Sequence, residues 1–387
     1  MSNHKYNKVM KTKRFFLGTA ILVIAMMILQ SCENKVTDSK DMGILPERFK
    51  VDIPSSLSSN NVTVKSAMLK SAKADTMKGD EIYGMLKVFI AIGEGAGDIV
   101  QNIIGAIVIY HIDKPMTLSY ESNDDHRIKN LVVIENGSYN GKNYEYMLTI
   151  TDAASEANAD GGKALQILWN KSPIEGIAII KPYNCNRVKD VASADAVYRI
   201  EYSEIPTSDY DSHMIVDISG IPLPDPSVDQ FAVKSLKMCV GKKGNNVDVY
   251  GNTCHPNAKF FTNTKGFDWA FVASGLSDQN IGVAEVGLPP STLDNSTRTV
   301  LLGDYSIKNV LTTQINEWFL QAYGVRPNAD DLSKLLKNAD APGFFSDGGF
   351  VKSGTAPDAK YTPLVGRIST LAPYNPKILN ELAVQFK

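Results

Sequence analysis

Residues 131–150 read LVVIENGSYNGKNYEYMLTI, and this stretch sets the class of the fold. Residues 131–134 are all apolar, and residues 144–150 carry an aromatic or aliphatic side chain at every second position. Two turn signals, Asn136-Gly137 and Asn140-Gly141, separate the two runs. Such a pattern is typical of two antiparallel strands joined by a tight turn.

The same strand-like pattern continues on the C-terminal side of this hairpin. Further runs rich in β-branched and aromatic residues occupy residues 165–169, 176–180, 197–202 and 214–218. Turn-forming pairs such as Ser172-Pro173 separate them, and no helical period lies between them. Short strands that follow one another without helices predict an antiparallel sheet or a barrel-like domain.

Residues 80–110, on the N-terminal side, predict a long amphipathic helix. Lys87, Glu94, Asp98 and Gln101 are spaced so that they share one helical face. The opposite side is wide and apolar, and its members are Leu86, Phe89, Ile92, Ile99, Ile103 and Ile107. The two charges near the middle argue against a bilayer span.

Two features of this helix leave alternatives open. Residues 106–112 fit either the end of the helix or the first strand. Gly93, Gly95 and Gly97 weaken or kink a helix, or allow close packing against it. They resemble a phosphate-binding loop only superficially, because no strand-turn-helix unit frames them and no Lys-Ser/Thr follows.

Residues 221–226 contain three prolines and are the best candidate domain boundary. Beyond them, strand-like pieces at 231–240, 247–250, 269–273 and 281–286 precede predicted helices at 305–323, 330–338 and 376–386. The expected class is α+β. It comprises a β-rich domain with its amphipathic helix at 79–222 and a mixed, helix-rich region at 223–387.

The first 32 residues predict export. Lys5, Lys8, Lys11, Lys13 and Arg14 supply positive charge, and residues 15–29 form an uncharged apolar run. This run is shorter than the roughly twenty residues that a membrane-spanning helix needs. The run ends in Leu29-Gln30-Ser31-Cys32, which resembles the lipobox of bacterial lipoproteins.

That resemblance implies where the protein is located and how it is attached to a membrane. Residues 1–31 would be a removed signal peptide, and the Cys32 thiol would carry a lipid that holds the mature protein on a membrane. Residues 32–78 are polar and predict a flexible tether. Because Glu33, rather than Asp, follows the cysteine, we expect the outer membrane of the cell envelope.

Composition excludes some functions. Hydrophobic residues make up 43% and charged residues 21% of the chain, as in packed globular proteins. The formal charge of −2 provides no electrostatic footprint for nucleic acid.

Cys239 and Cys254 bracket a turn-rich segment and are candidates for a disulfide in an exported protein. A bridge there would stabilise the fold by roughly 3 kcal/mol. Cys185 is then left over. The alternative is that all three cysteines are small buried apolar side chains.

No catalytic residue, metal site or cofactor is predicted. The chain has no His-Glu-x-x-His, Cys-x-x-Cys or Gly-x-Ser-x-Gly motif. Asp209 and Asp211 are weak calcium candidates, and the segment around Asp160 imitates the start of a calcium loop. Each segment supplies too few oxygen ligands.

The resulting expectation is a lipid-anchored, non-enzymatic binding module for a hydrophobic ligand or a protein partner. Phe89, Ile92, Ile99 and Ile103 are its candidate ligand-facing residues, if the helix leaves a cavity beside the sheet. The alternatives are an envelope hydrolase acting on glycans or peptides, and an accessory subunit of an outer-membrane complex.

Overall fold

A computed structural model describes residues 42–58, 77–188 and 194–386. Thirteen strands form one antiparallel sheet, in which each strand pairs with the strands before and after it along the chain. A long helix packs against this sheet, so the α+β class is confirmed. The predicted signal peptide and Cys32 lie outside the described residues.

The strands are β1 (Met116–Glu121), β2 (Ile128–Tyr139), β3 (Lys142–Asp152), β4 (Lys163–Lys171), β5 (Ile174–Ile180), β6 (Val197–Ser203), β7 (Ser212–Ser219), β8 (Ser235–Lys243), β9 (Asn246–Cys254), β10 (Trp269–Leu276), β11 (Ile281–Gly287), β12 (Gly343–Ser346) and β13 (Gly349–Ser353). The α-helices are α1 (Gly79–Ile107), α2 (Pro182–Cys185), α3 (Ile307–Tyr323), α4 (Ala329–Leu335), α5 (Thr362–Ile368) and α6 (Pro376–Asn380). The sheet is open rather than a closed barrel, and β1 and β13 are its edges.

The hairpin predicted from residues 131–150 is formed by β2 and β3. Their pairing runs from Lys129 opposite Asp152 to Tyr139 opposite Lys142. The turn uses Asn140 and Gly141, with φ of 49° and 81°, as an Asn-Gly hairpin turn requires. The other turn signal lies inside β2, where Asn136 has φ of 60° without ending the strand.

Helix α1 is continuous, and a short 3₁₀ turn, Val108–Tyr110, follows it, so residues 106–112 do not form a strand. Two of its glycines allow close packing: a Cβ on Gly93 would lie 2.3 Å from Met238 Cε, and a Cβ on Gly97 would lie 3.1 Å from Lys50 Cβ. By length and composition this stretch is the one candidate membrane span among the described residues. In the structure its apolar side packs in the hydrophobic core.

The polar face of α1 is covered by residues 42–58, which we call the N-terminal strap. Gln101 Oε1 accepts a hydrogen bond from the backbone N–H of Phe49 at 2.8 Å. Lys50 forms an ion pair with Asp98, and Lys87 Nζ donates to a strap carbonyl at 2.9 Å. The charged stripe predicted on this helix is therefore a binding surface for the strap.

Glu94 is the most buried member of that stripe. Its carboxylate accepts hydrogen bonds from the Ile53 N–H, at 3.3 Å, and from the Ser58 hydroxyl. Burial raises the pKa of Glu94. The two hydrogen bonds stabilise the carboxylate and oppose this shift. Because Phe49 and Leu57 of the strap are also buried, the predicted tether does not extend over residues 42–58. Residues 32–41 and 59–76 of that tether lie outside the described residues.

The proline-rich segment predicted as a domain boundary joins two paired strands. Ile218 on β7 lies directly opposite Leu236 on β8, so the sheet continues across residues 221–226. One hydrophobic core contains side chains from both sides of this segment, including Val216 and Val249. The two predicted regions thus share a sheet and a core.

The C-terminal region adds a second layer. Strands β8–β11 and helix α3 lie where the sequence predicts them, whereas the last helix ends at Asn380 instead of residue 386. The β12–β13 hairpin and α5 were not predicted. Leu364 and Ile368 of α5 pack with Ala270 and Val272 on the face of the sheet that points away from α1. We call this side the outer face and the side toward α1 the inner face.

Candidate functional site

The two faces of β2 differ sharply in burial. Leu131 and Val133 point inward and are buried in the core beside α1. Val132 and Ile134, which alternate with them, point outward, and Ile134 is 40% exposed. Since successive strand residues point to opposite faces, β-branched residues on both sides of one strand leave apolar surface outside. Ile128 extends this exposed row along the strand.

A groove of about 450 Å³ lies beside this row on the outer face of β2, β3 and β4. Its lining combines apolar side chains, uncharged hydrogen-bonding groups and one lysine, and it includes Ile134, Asn136, Ser138, Met147, Thr149, Lys163 and Gln166. Cross-strand pairing explains why they meet: Ile134 lies opposite Met147, and Thr149 lies opposite Gln166. Gln166 Nε2 is 3.5 Å from both Met147 Sδ and Thr149 Oγ1, which holds the groove floor together.

The C-terminal segment of the chain occupies the neighbouring part of the same face. Leu382, Val384 and Phe386 pack against a cluster that contains Tyr139 and Leu168. The intervening residues are exposed, so this segment binds with every second side chain. The Tyr139 hydroxyl also donates to the Gln385 carbonyl at 3.2 Å.

Met147 connects the two sites, because it packs against the cluster under the C-terminal segment and also lines the groove. The groove therefore continues a surface that already holds one extended apolar peptide. Val132, Ile134 and Met147 were not identified from the sequence as binding residues. The signal was present in β2, where both alternating sets are β-branched or aliphatic.

The predicted ligand-facing residues lie in the core instead. Phe89 is fully buried, and its ring contacts those of His255 and Trp269, with centroids 4.7 and 5.6 Å away. Ile99 is buried, and Ile92 and Ile103 pack against the same core. The wide apolar side of α1 is thus covered by the sheet, so these four side chains do not form a ligand site.

Cys239 and Cys254 are free thiols, so the predicted disulfide is not formed. Cys254 lies opposite Ser235 on β8, four residues along that strand from Cys239. That separation is about 13 Å, whereas a disulfide requires Cα atoms about 4.4–6.8 Å apart. Burial raises the pKa of Cys239 to about 11 and of Cys254 to about 12, so neither is an activated nucleophile.

His255 and Asp268 are buried neighbours with strongly shifted pKa values, but their geometry is not catalytic. His255 Nε2 is 2.6 Å from Thr253 Oγ1, and its Nδ1 is 2.8 Å from the Phe231 carbonyl. The Asp268 carboxylate accepts hydrogen bonds from the Ser291 hydroxyl at 2.5 Å and the His255 backbone N–H at 3.2 Å. The imidazole therefore does not bridge a hydroxyl to the carboxylate, as a catalytic triad requires.

Burial explains the titration of this pair. It raises the pKa of Asp268 to about 7, against the hydrogen bonds from Ser291 and His255. It lowers the pKa of the His255 imidazole to about 3. Both side chains are shielded from solvent, so the perturbed groups face no open cleft where a substrate could bind.

The calcium candidates are engaged by the protein itself. Asp211 accepts a hydrogen bond from the Gly244 N–H at 2.9 Å, and Asp160 forms an ion pair with Lys181 at 2.6 Å. Although burial opposes it, hydrogen bonding by Lys181 and Asn184 lowers the pKa of Asp160 to about 2. Within residues 42–58, 77–188 and 194–386, no three acidic, histidine or cysteine side chains, Asp209 included, converge on a possible metal position.

A buried ionic cluster was missed by the sequence analysis. Lys129 is almost fully buried, with Nζ 2.9 Å from the Asp125 carboxylate and 3.0 Å from the Asn184 carbonyl. Arg127 donates two hydrogen bonds to the buried Asp152, at 2.8 and 3.0 Å. Because these charges pair with one another, the cluster ties the ends of β2, β3 and α2 together rather than offering a binding site.

The chain matches no protein-family model, no curated protein and no solved structure. Its function must therefore be inferred from the geometry of its own residues.

Proposed function

We propose that this chain is a lipid-anchored, non-enzymatic envelope protein that docks a protein partner on the outer face of β2–β4. The observation that carries the proposal is the open apolar groove next to the exposed row of Ile128, Val132 and Ile134. Apolar rows of this kind on a soluble surface mark interaction sites more often than chance exposure does.

The chemistry of the groove favours an extended peptide segment as the occupant. Its lining mixes apolar surface with amide and hydroxyl groups, as in Met147, Thr149 and Gln166, and Lys163 is its one charged residue. Such a surface accepts apolar side chains and the polar backbone between them. The C-terminal segment provides an internal example, since Leu382, Val384 and Phe386 bind the adjoining surface with alternate side chains.

A protein partner is preferred over a small hydrophobic ligand because the apolar side of α1 is packed against the sheet. It is preferred over a hydrolase because the perturbed pair, His255 and Asp268, is buried and does not form a relay to a nucleophile. An accessory subunit of an outer-membrane complex is one form that such a docking protein could take.

Site-specific photo-crosslinking in the native host tests this proposal. A photoreactive residue at position 134 should give a discrete crosslinked species, because the partner segment would lie against Ile134. Position 351 is the matched control, since Val351 is similarly exposed, at 45%, on the edge strand β13. Equal crosslinking at both positions, or none at 134, would contradict a specific site on this face.

The anchor is proposed from the lipobox resemblance and is tested separately. Cys32→Ser should release the protein from membranes, since the lipid on that thiol would be its main attachment. We further propose the outer membrane, because Glu33 follows the cysteine. Fractionation that places the wild-type protein only in the inner membrane would refute this location.

A further inference from the structure

We propose that the protein makes a second, non-covalent contact with the membrane, through an aromatic tip formed by Phe261, Trp318, Phe319, Leu320, Tyr323 and Val325. This inference rests on the proposed lipid anchor, because it assigns the tip to a membrane that the anchor brings close. The occupant is the headgroup region of a lipid surface.

Exposure separates the tip from the rest of the helical region. Leu320, Tyr323 and Val325 are 45%, 63% and 61% exposed and lie within six residues of one another. Among the described residues, the exposed large apolar side chains include two groups of three. One is at this tip, and the other is the β2 row beside the groove. An apolar helix end directed to solvent is costly in water, so we infer that a partner surface covers it.

The tip is held together by its own rings. The Trp318 ring lies edge-on to those of Phe319 and Tyr323, with centroids 5.0 and 5.9 Å away. Phe261, from the β9–β10 connection, lies 6.1 Å from Trp318 on another side. Phe319 also packs against the main hydrophobic core, so the cluster is fixed to the rest of the fold.

Composition favours a lipid surface over a protein partner. Tryptophan and tyrosine, with an apolar body and a polar edge, are the residues enriched where membranes meet water. Residues 318–329 carry one cation, Arg326, and are flanked by the acidic residues Glu317, Asp330 and Asp331. The β9–β10 connection adds Lys259 and Lys265 near Phe261, without a carboxylate between them. Charges of both signs therefore surround the tip, and its aromatic composition rather than its charge favours the headgroup region of a membrane.

The position of the tip is compatible with the anchor. The strap begins near the β4–β5 turn, where Lys171 Nζ donates to the Gly43 carbonyl. The tip belongs to the β9–β10 and β11–β12 connections, which lie at the opposite end of an antiparallel sheet. Strands of nine residues, such as β8, span about 30 Å. The ten residues from Cys32 to Met42 reach at most about 35 Å, so both ends can touch one membrane.

Tryptophan fluorescence provides a direct test, because the chain has three tryptophans and Trp169 and Trp269 are 0% exposed. The sample is the mature chain, residues 32–387, with Cys32→Ser so that no lipid contributes. Added vesicles of phosphatidylethanolamine and phosphatidylglycerol should shift the emission to shorter wavelength through Trp318. Vesicles of phosphatidylcholine alone should produce a comparable shift, since the aromatic side chains rather than the charge of the tip would make the contact.

The decisive variant retains Trp318 as the fluorescent reporter and removes its apolar neighbours. Leu320→Ser with Tyr323→Ser should weaken vesicle binding by about tenfold or more, because the buried apolar area is lost. Ile205→Ser with Val228→Ser, two similarly exposed apolar side chains outside both proposed sites, is the matched control and should bind as the wild type does. Unchanged thermal unfolding of both variants would show that the fold is intact.

Two results would overturn the inference. One is the absence of any emission shift with anionic vesicles. The other is a shift that depends on protein concentration without vesicles, since the tip would then bind a second copy of this chain. Failure of the lipid anchor would appear instead as the absence of metabolically incorporated fatty acid on Cys32 of the wild-type protein, so the two proposals fail separately.

Discussion

The inner and outer faces of the sheet are built from the same kinds of residues but are covered differently. The inner face is sealed by α1, whose polar side is in turn held by the N-terminal strap. The outer face is covered in part by α5 and by the C-terminal segment, and it stays open over β2–β4. The difference suggests that the inner face maintains the fold and the outer face is available for binding.

The largest loss of stability is expected from a substitution on the inner face. Phe89→Ala removes a fully buried ring that contacts both His255 and Trp269, and it leaves a cavity between α1 and the sheet. We expect the free energy of unfolding to fall by about 3–5 kcal/mol. Denaturant unfolding followed by circular dichroism measures this loss. A loss below about 1 kcal/mol would show that α1 is not sealed against the sheet.

The next effect concerns pH and the buried pair beside that ring. The pKa of Asp268 is raised to about 7, so its contribution to stability is lost as pH rises from about 4 to 7. The pKa of His255 is lowered to about 3, so its contribution is lost as pH falls from about 6.5 to 3. Between pH 4 and 6.5 the two effects oppose each other in the wild type.

Single substitutions should therefore expose slopes of opposite sign. Relative to the wild type, Asp268→Asn should gain stability as pH rises through this window, and His255→Gln should lose it. Each change is on the order of a few kcal/mol across the window. Melting temperatures measured at intervals of half a pH unit test this, and slopes of the same sign in both variants would refute it.

A smaller effect is expected where the outer face is covered. Leu382→Ala with Val384→Ala removes apolar contacts at the end of the chain, where Val384 is buried and Leu382 is half-buried. We expect the free energy of unfolding to fall by about 1–2 kcal/mol. Limited proteolysis should also become faster at the C-terminus. No change in either measurement would show that this segment is not held on the sheet.

The smallest effect on stability is expected where the outer face is open. Ile134→Lys should change the free energy of unfolding by no more than about 0.5 kcal/mol, because this side chain already faces solvent. It should nevertheless abolish docking, as measured by loss of crosslinking from a neighbouring photoreactive position such as 132. A large destabilisation would place Ile134 in the fold rather than in a binding surface.

Local sequence patterns predicted much of this architecture. Alternation and turn residues identified the β2–β3 hairpin, and helical spacing identified α1 together with its polar stripe. These signals depend on neighbours a few residues apart, which a single sequence displays. The partner of the polar stripe was not visible, because Glu94 and Ser58 are 36 residues apart in the sequence. The polar composition of residues 32–78 as a whole made the strap resemble a tether, although the strap itself carries apolar side chains such as Leu45, Phe49 and Ile53.

The candidate site was hidden for a related reason. The row on β2 differs from the core only in which face is covered, and coverage depends on segments as distant as residues 382–386. The same limitation led to Phe89 being interpreted as ligand-facing, since a wide apolar helix side shows no sign of what packs against it. The ionic cluster around Lys129 also requires three separate elements to meet.

The strand order has a consequence for how the chain acquires its structure. Each strand finds its partner in the strand that emerged just before it, so the sheet can grow in the order of synthesis without waiting for distant segments. Helix α1 is in the opposite situation. It emerges before every strand, yet Gly79 is seated against the backbone of Asn338 near the other end of the chain. Its apolar side therefore stays uncovered until the strands that pack on it have formed, and a chaperone is most useful at that stage.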